Sequence, residues 1–158
     1  MRLYEKPQKA FARGFKRMHA VVRGKVYPTE AQERVEQAIR NIVAGSKCTE
    51  VRYDTYLELQ VSLNEASSLE WLRQRIHDLR IIDATRVRLQ SNWDGIESHL
   101  CLDKQAAFLE RIRVIDDSEE TPPLGFIEIV LGFDTPTEFH TFVSWLTPRT
   151  EKGRMVER

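Results

Sequence analysis

Two cysteines in 158 residues are too few for a disulfide framework. Neither Cys48 nor Cys101 belongs to a CxxC pair, so no zinc knuckle is signalled, and a reducing cytoplasm is the expected compartment. Long apolar runs are missing as well; nothing approaches the roughly 20 residues that cross a bilayer. No apolar block followed by a small-residue cleavage site opens the chain, so no secretory leader is expected. Gly24, Gly45, Gly95, Gly125 and Gly132 each stand alone, which excludes a glycine-rich phosphate loop. Net charge is absent too, because 24 basic and 24 acidic residues cancel.

That zero hides an asymmetry. Between Met1 and Lys25 the basic residues Arg2, Lys6, Lys9, Arg13, Lys16, Arg17, Arg23 and Lys25 face only Glu5. Basic N-terminal arms commonly touch nucleic acid or acidic surfaces. Phe11, Phe15 and Met18 also fall at helical spacing, although Gly14 weakens such a helix by about 1 kcal/mol relative to alanine. Two readings stay open for residues 1–17: an extension that packs aromatics onto the domain, or an arm that contacts RNA. The remainder has the composition of an ordinary globular protein, 41% hydrophobic and 30% charged. One domain over residues 18–150 is expected, with a tail over 151–158.

Alternation predicts a first strand over His19–Val26, with Ala20, Val22, Gly24 and Val26 inward. Thr29 and Gln32 then form a capping-box pair for a helix whose buried stripe is Ala31, Val35, Ala38, Ile39 and Ile42. Val51–Ser62 alternates strictly and predicts one long strand, covered on one side only. A second helix starts near Ser67, and a short helical segment runs over 81–87. Asn92–Gly95 is a turn. Ser98–Val114 reads as two strands folded back at Asp103–Ala106, with a bulge or edge position at Glu110. A last strand over Leu124–Phe133 precedes a helix with Thr135 as cap, Pro136 at its first position and Glu138 as box partner. The order predicts an α+β fold, an antiparallel or mixed sheet of about five strands with helices packed on one face.

Five short pieces occur in sequence: Val26-Tyr-Pro-Thr-Glu30, Arg80-Ile-Ile-Asp-Ala-Thr-Arg86, Leu102-Asp-Lys-Gln-Ala-Ala-Phe108, Leu124-Gly125 and Leu146-Thr-Pro-Arg-Thr150. Together, over roughly residues 21–150, they resemble the archaeal uncharacterised protein family 0201, a group of RNA-binding-like proteins. The resemblance implies a fold like that of large-subunit ribosomal protein five, which binds 5S ribosomal RNA. It further implies an archaeal, cytoplasmic protein with no established activity.

No catalytic residue and no cofactor is assigned. His99, Cys101 and Asp103 share one face of a predicted strand and are metal-donor types. A structural zinc site wants four ligands, however, and no second paired set exists, so they are read as solvated strand residues. The candidate RNA-contacting residues are Arg23, Lys25, Arg52, Tyr56, Arg111 and Arg113 on the open sheet face, with Lys104 and Gln105 at the predicted turn. Basic side chains there would follow phosphates while Tyr56 stacks on an unpaired base. The expected partner is structured ribosomal or other RNA. The alternative is a protein-interaction module or homodimer built on an open face or edge strand, and no membrane partner is expected.

Overall fold

The structure is a computed structural model that describes residues 18–44, 47–151 and 154–155. The basic extension over residues 1–17 lies outside them. Six strands form the main sheet: β1 (His19–Val26), β2 (Thr49–Arg52), β3 (Leu57–Leu63), β4 (Glu97–Asp103), β5 (Val114–Ile115) and β6 (Phe126–Gly132). Their order is β2-β3-β1-β6-β4-β5, and every neighbouring pair is antiparallel. Five helices accompany it: α1 (Gln32–Ile42), α2 (Glu70–Asp78), α3 (Ile82–Ser91), α4 (Lys104–Phe108) and α5 (Pro136–Leu146). A 3-10 turn over Ala66–Leu69 leads into α2, and β7 (Thr150–Glu151) pairs with β8 (Arg154–Met155) as a separate ribbon.

Period-two alternation decides which face is covered. Ala20, Val22 and Val26 of β1, Leu57, Leu59, Val61 and Leu63 of β3, and Ile127, Ile129 and Leu131 of β6 share one core with Val35, Ile39, Leu72, Ile76, Phe139 and Phe142 from the helices. α1 crosses β1 closely at Gly24, where an added Cβ would lie 3.2 Å from Ile39 Cδ1 and 3.4 Å from Val35 Cγ1. The α+β expectation of helices on one face of an antiparallel sheet holds. The sheet has six strands rather than about five.

The sixth comes from the stretch expected to be one long strand. Residues 49–63 fold instead into a β2–β3 hairpin, closed where Tyr53 N donates to Tyr56 O at 2.9 Å. The turn reverses the phase of β2. Glu50 and Arg52 pair with Leu59 and Leu57, so they stand on the helix-bearing side, and Gln32 of α1 donates to Glu50 there at 2.7 Å. Val51, expected inward, faces the opposite way.

The second correction concerns Asp103–Ala106. No hairpin turn forms; Asp103 is an N-cap whose carboxylate accepts from Ala106 N at 3.0 Å, and α4 follows. Lys-Gln-Ala-Ala is a run of good helix formers, and the cap supplies the start that alternation could not reveal. Glu110 then takes a left-handed conformation with φ 61° and turns the chain, so only Val114–Ile115 remains of the strand expected over 107–115. α3 extends to Ser91, beyond the short segment expected, and Ala31 rather than Thr29 occupies the cap position of α1. At α5, the Thr135–Glu138 capping box and Pro136 stand as the sequence predicts.

Two of the five motif pieces interlock at one end of the molecule. Arg86 donates to Thr147 O at 3.0 and 3.1 Å and to Pro148 O at 2.6 Å, and Thr150 Oγ1 donates to Asp83 at 2.6 Å. Arg86 and Asp83 therefore hold the chain as it leaves α5.

Candidate RNA-contacting face

The helix-free face of the sheet presents His19, Val21, Arg23 and Lys25 from β1, Glu58, Gln60 and Ser62 from β3, Phe126, Glu128 and Val130 from β6, and His99, Cys101 and Asp103 from β4. One end of this face gathers aromatic and basic groups. The Tyr53 and Tyr56 rings stack with centroids 4.8 Å apart and planes 25° from parallel. Lys25 Nζ lies 4.7 Å from the Tyr56 centroid, and Tyr27 packs against Tyr56 at 6.2 Å. A cation over an aromatic face is attracted by the ring quadrupole. Tyr53 is 45% exposed, so the outer side of the stack meets solvent. Arg52 precedes it at the end of β2.

The sequence-predicted residues therefore divide. Lys25 and Tyr56 meet directly, and Arg52 stands next to their cluster, although it sits on the helix side of the sheet. Arg23 shares the open face but donates to Glu128 at 3.0 Å. Arg113 bridges Asp103 at 2.9 Å and also pairs with Glu120, and these two carboxylates, Glu120 foremost, raise its already high pKa. Arg111 and Gln105 are exposed, Arg111 in the connection from α4 to β5 and Gln105 on α4. Tyr53 was missed, because the strand reading turned it into the core. Phe126, half-buried on the open face, was missed because strand alternation alone gives no reason to select it.

Lys104 does not stand at a solvated turn. Its side chain is 5% exposed, and Nζ donates to Glu30 at 3.0 and 3.2 Å, to Lys25 O at 2.7 Å and to Leu124 O at 2.6 Å. Burial lowers its pKa, against the opposing pull of the Glu30 carboxylate. Glu30 in turn accepts from Tyr27 N at 3.0 Å. Three motif pieces, 26–30, 102–108 and 124–125, converge on this one ammonium, which ties them to the end of β1 that carries Lys25.

The reading of His99 and Cys101 as solvated strand residues also changes. Cys101 is 1% exposed, and Asp117 of the loop after β5 hydrogen-bonds its thiol. Glu128, directly opposite it on β6, joins the pair, and donor atoms of His99, Cys101 and Glu128 all lie within 4.8 Å of one another. Asp117 from the loop meets His99 Nε2 at 2.9 Å. Burial pushes the Cys101 thiol far up, helped by the charges of Asp117 and Glu128, so it is protonated and a poor nucleophile as it stands. Asp103, the third residue of the sequence set, is occupied with the α4 cap and Arg113.

Between α1 and α4 a groove of about 630 Å³ is lined by Ala31, Arg34, Val35, Ala38, Phe108 and Leu109. Leu109 is 60% exposed at its rim. No helix among the described residues is long and apolar enough to cross a membrane.

An antiparallel sheet with all its helices on one face, and an aromatic–cationic cluster on the other, defines an open-faced α+β protein. A family model described as RNA binding matches residues 19–133. The chain belongs to the archaeal uncharacterised protein family UPF0201. A UPF0201 protein of Sulfurisphaera tokodaii is 32% identical over 133 residues, 84% of this chain and 89% of the relative. The Archaeoglobus fulgidus UPF0200/UPF0201 protein is 28% identical over 147 residues, 90% of this chain but 41% of that protein. In the crystal structure of the Methanococcus jannaschii UPF0201 protein the fold recurs with a TM-score of 0.76 at 24% identity, over 88% of this chain and 99% of that one.

Proposed function

We propose that this protein is a non-enzymatic RNA-binding protein of the archaeal cytoplasm. An unpaired base stacks on the exposed outer face of Tyr53, which Tyr56 backs, while Lys25 and Arg52 follow the phosphates. The observation that carries the reading is the exposed Tyr53–Tyr56 stack with Lys25 over it, in a chain whose family is described as RNA binding. Arg23, Gln105, Arg111 and Arg113 are outer contacts. Lys104 acts from inside, by holding the strand end on which Lys25 sits. A fold like that of large-subunit ribosomal protein five, which the sequence resemblance implies, is part of this proposal and makes structured ribosomal RNA the first RNA to test.

The test is filter binding of single-stranded RNA and ribosomal RNA across a salt series. Affinity should fall steeply with salt through counterion release. Tyr53→Ala with Tyr56→Ala should weaken single-strand binding by about 1–3 kcal/mol per lost base stack. Lys25→Glu should weaken all sequences alike and lower the salt slope by about 1. No binding at low salt, or full binding by the double tyrosine variant, sinks the proposal.

A second reading is assembly with a protein partner, and the Archaeoglobus relative favours it. There the matching segment is a minor part of a chain named for two families, UPF0200 and UPF0201. On this reading the present protein meets a separate UPF0200 protein, and the groove beside Leu109 is the apolar surface available to it. Capture from native extract, with RNA and protein both identified, separates the readings.

A further inference from the structure

We propose that His99, Cys101, Glu128 and Asp117 form a binding site for a zinc-class divalent transition metal on the open face of the sheet. The placement follows from strand geometry. Residues two apart on β4 project His99 and Cys101 from the same face, and the β4–β6 register sets Glu128 directly across from Cys101. One donor atom from each of these three lies within 4.8 Å of the others. Rotation of ordinary side chains then brings nitrogen, sulfur and oxygen to the roughly 2.0–2.3 Å that zinc requires. Asp117 supplies a second carboxylate, already 2.9 Å from His99 Nε2.

The donor set points to the metal. Imidazole and thiolate together favour zinc and its neighbours, whereas calcium and magnesium take oxygen donors. Charge supports the same choice. Once the ion displaces the Cys101 proton to solvent, a thiolate and two carboxylates face one guanidinium, Arg23 on Glu128 Oε1, and a divalent ion brings these groups to neutrality. The site also has a structural consequence. Asp117 belongs to the acidic loop after β5, and a shared ion fastens that loop across β4 and β6. Cys48 lies outside the cluster and serves as an internal control.

Cobalt(II) titration of the reduced full-length chain tests this, because a cobalt–thiolate bond has a charge-transfer absorption that carboxylate or imidazole ligation lacks. One equivalent of cobalt should produce the band, and zinc should abolish it by displacement. Cys48→Ser should leave the band and Cys101→Ser should remove it. Because Cys101 is buried, Glu128→Gln and His99→Ala read the site independently; each should weaken cobalt binding at least 10-fold while far-ultraviolet dichroism stays native. Absence of the band in the folded wild type, its loss with Cys48→Ser, or unchanged affinity in both Glu128→Gln and His99→Ala overturns the proposal.

Discussion

Replacing Lys104 with methionine should be among the most destabilising single changes available to this protein. The ammonium and the Glu30 carboxylate are 5% and 11% exposed, and the lysine also satisfies the carbonyls of Lys25 and Leu124. Methionine keeps the side chain up to the Cε position but leaves a buried carboxylate without its cation. Breaking a buried pair from one side costs about 3–5 kcal/mol. For a chain of this size each kcal/mol moves Tm by roughly 2–4 °C, so a fall of about 10 °C is expected. Adding Glu30→Gln should return part of that loss, because the stranded charge disappears while the amide oxygen that replaces the carboxylate still accepts from Tyr27 N. Thermal and urea unfolding followed by circular dichroism measures both variants. A shift below about 2 °C for Lys104→Met, or a double variant weaker than the single one, would refute the view of Lys104 as a buried structural cation.

Stability should fall on mild acidification because of His77. Its ring meets Leu146 O at 2.9 Å, and burial depresses its pKa below 6.5. The unfolded chain therefore binds the proton more readily, so stability is full above pH 6.5 and is lost as pH drops toward the lower folded value. His77→Gln should flatten that part of a stability–pH curve; an unchanged curve argues against the assignment. Thr135→Ala removes the hydroxyl that accepts from Glu138 N at 3.2 Å and should cost about 1 kcal/mol. Denaturant unfolding reads the change, and a neutral result means the capping box contributes nothing to folding.

The elements that were legible in the sequence are those whose signals are local. β1 and β6 show their alternation, α1 shows its apolar stripe, and α5 carries its capping box and Pro136 within a few residues. The five motif pieces were legible as a resemblance to the family, which the relatives bear out, and the family model over residues 19–133 spans the first four pieces. Their physical roles were not. Lys104, Glu30 and Leu124 lie far apart along the chain, so nothing near Lys104 in sequence signals that its charge is buried and answered.

The same division holds for the candidate sites. Sequence alone selected Lys25 and Tyr56, because alternation and side-chain chemistry can be read one strand at a time. Tyr53 was hidden by an unforeseen turn. A hairpin within 49–63 changes strand phase, and a one-residue change of phase moves each side chain to the other face. Likewise His99 and Cys101 could be seen as neighbours on one strand, since residues two apart always share a face. Glu128 and Asp117 join them only through the β4–β6 register and the path of a loop, which depend on pairing between distant segments. The sequence by itself determined the family, the fold class and the residue types available for binding. Tertiary structure alone decided which charges are buried, which are paired and which donors converge, because those depend on distances between residues that the chain order leaves free.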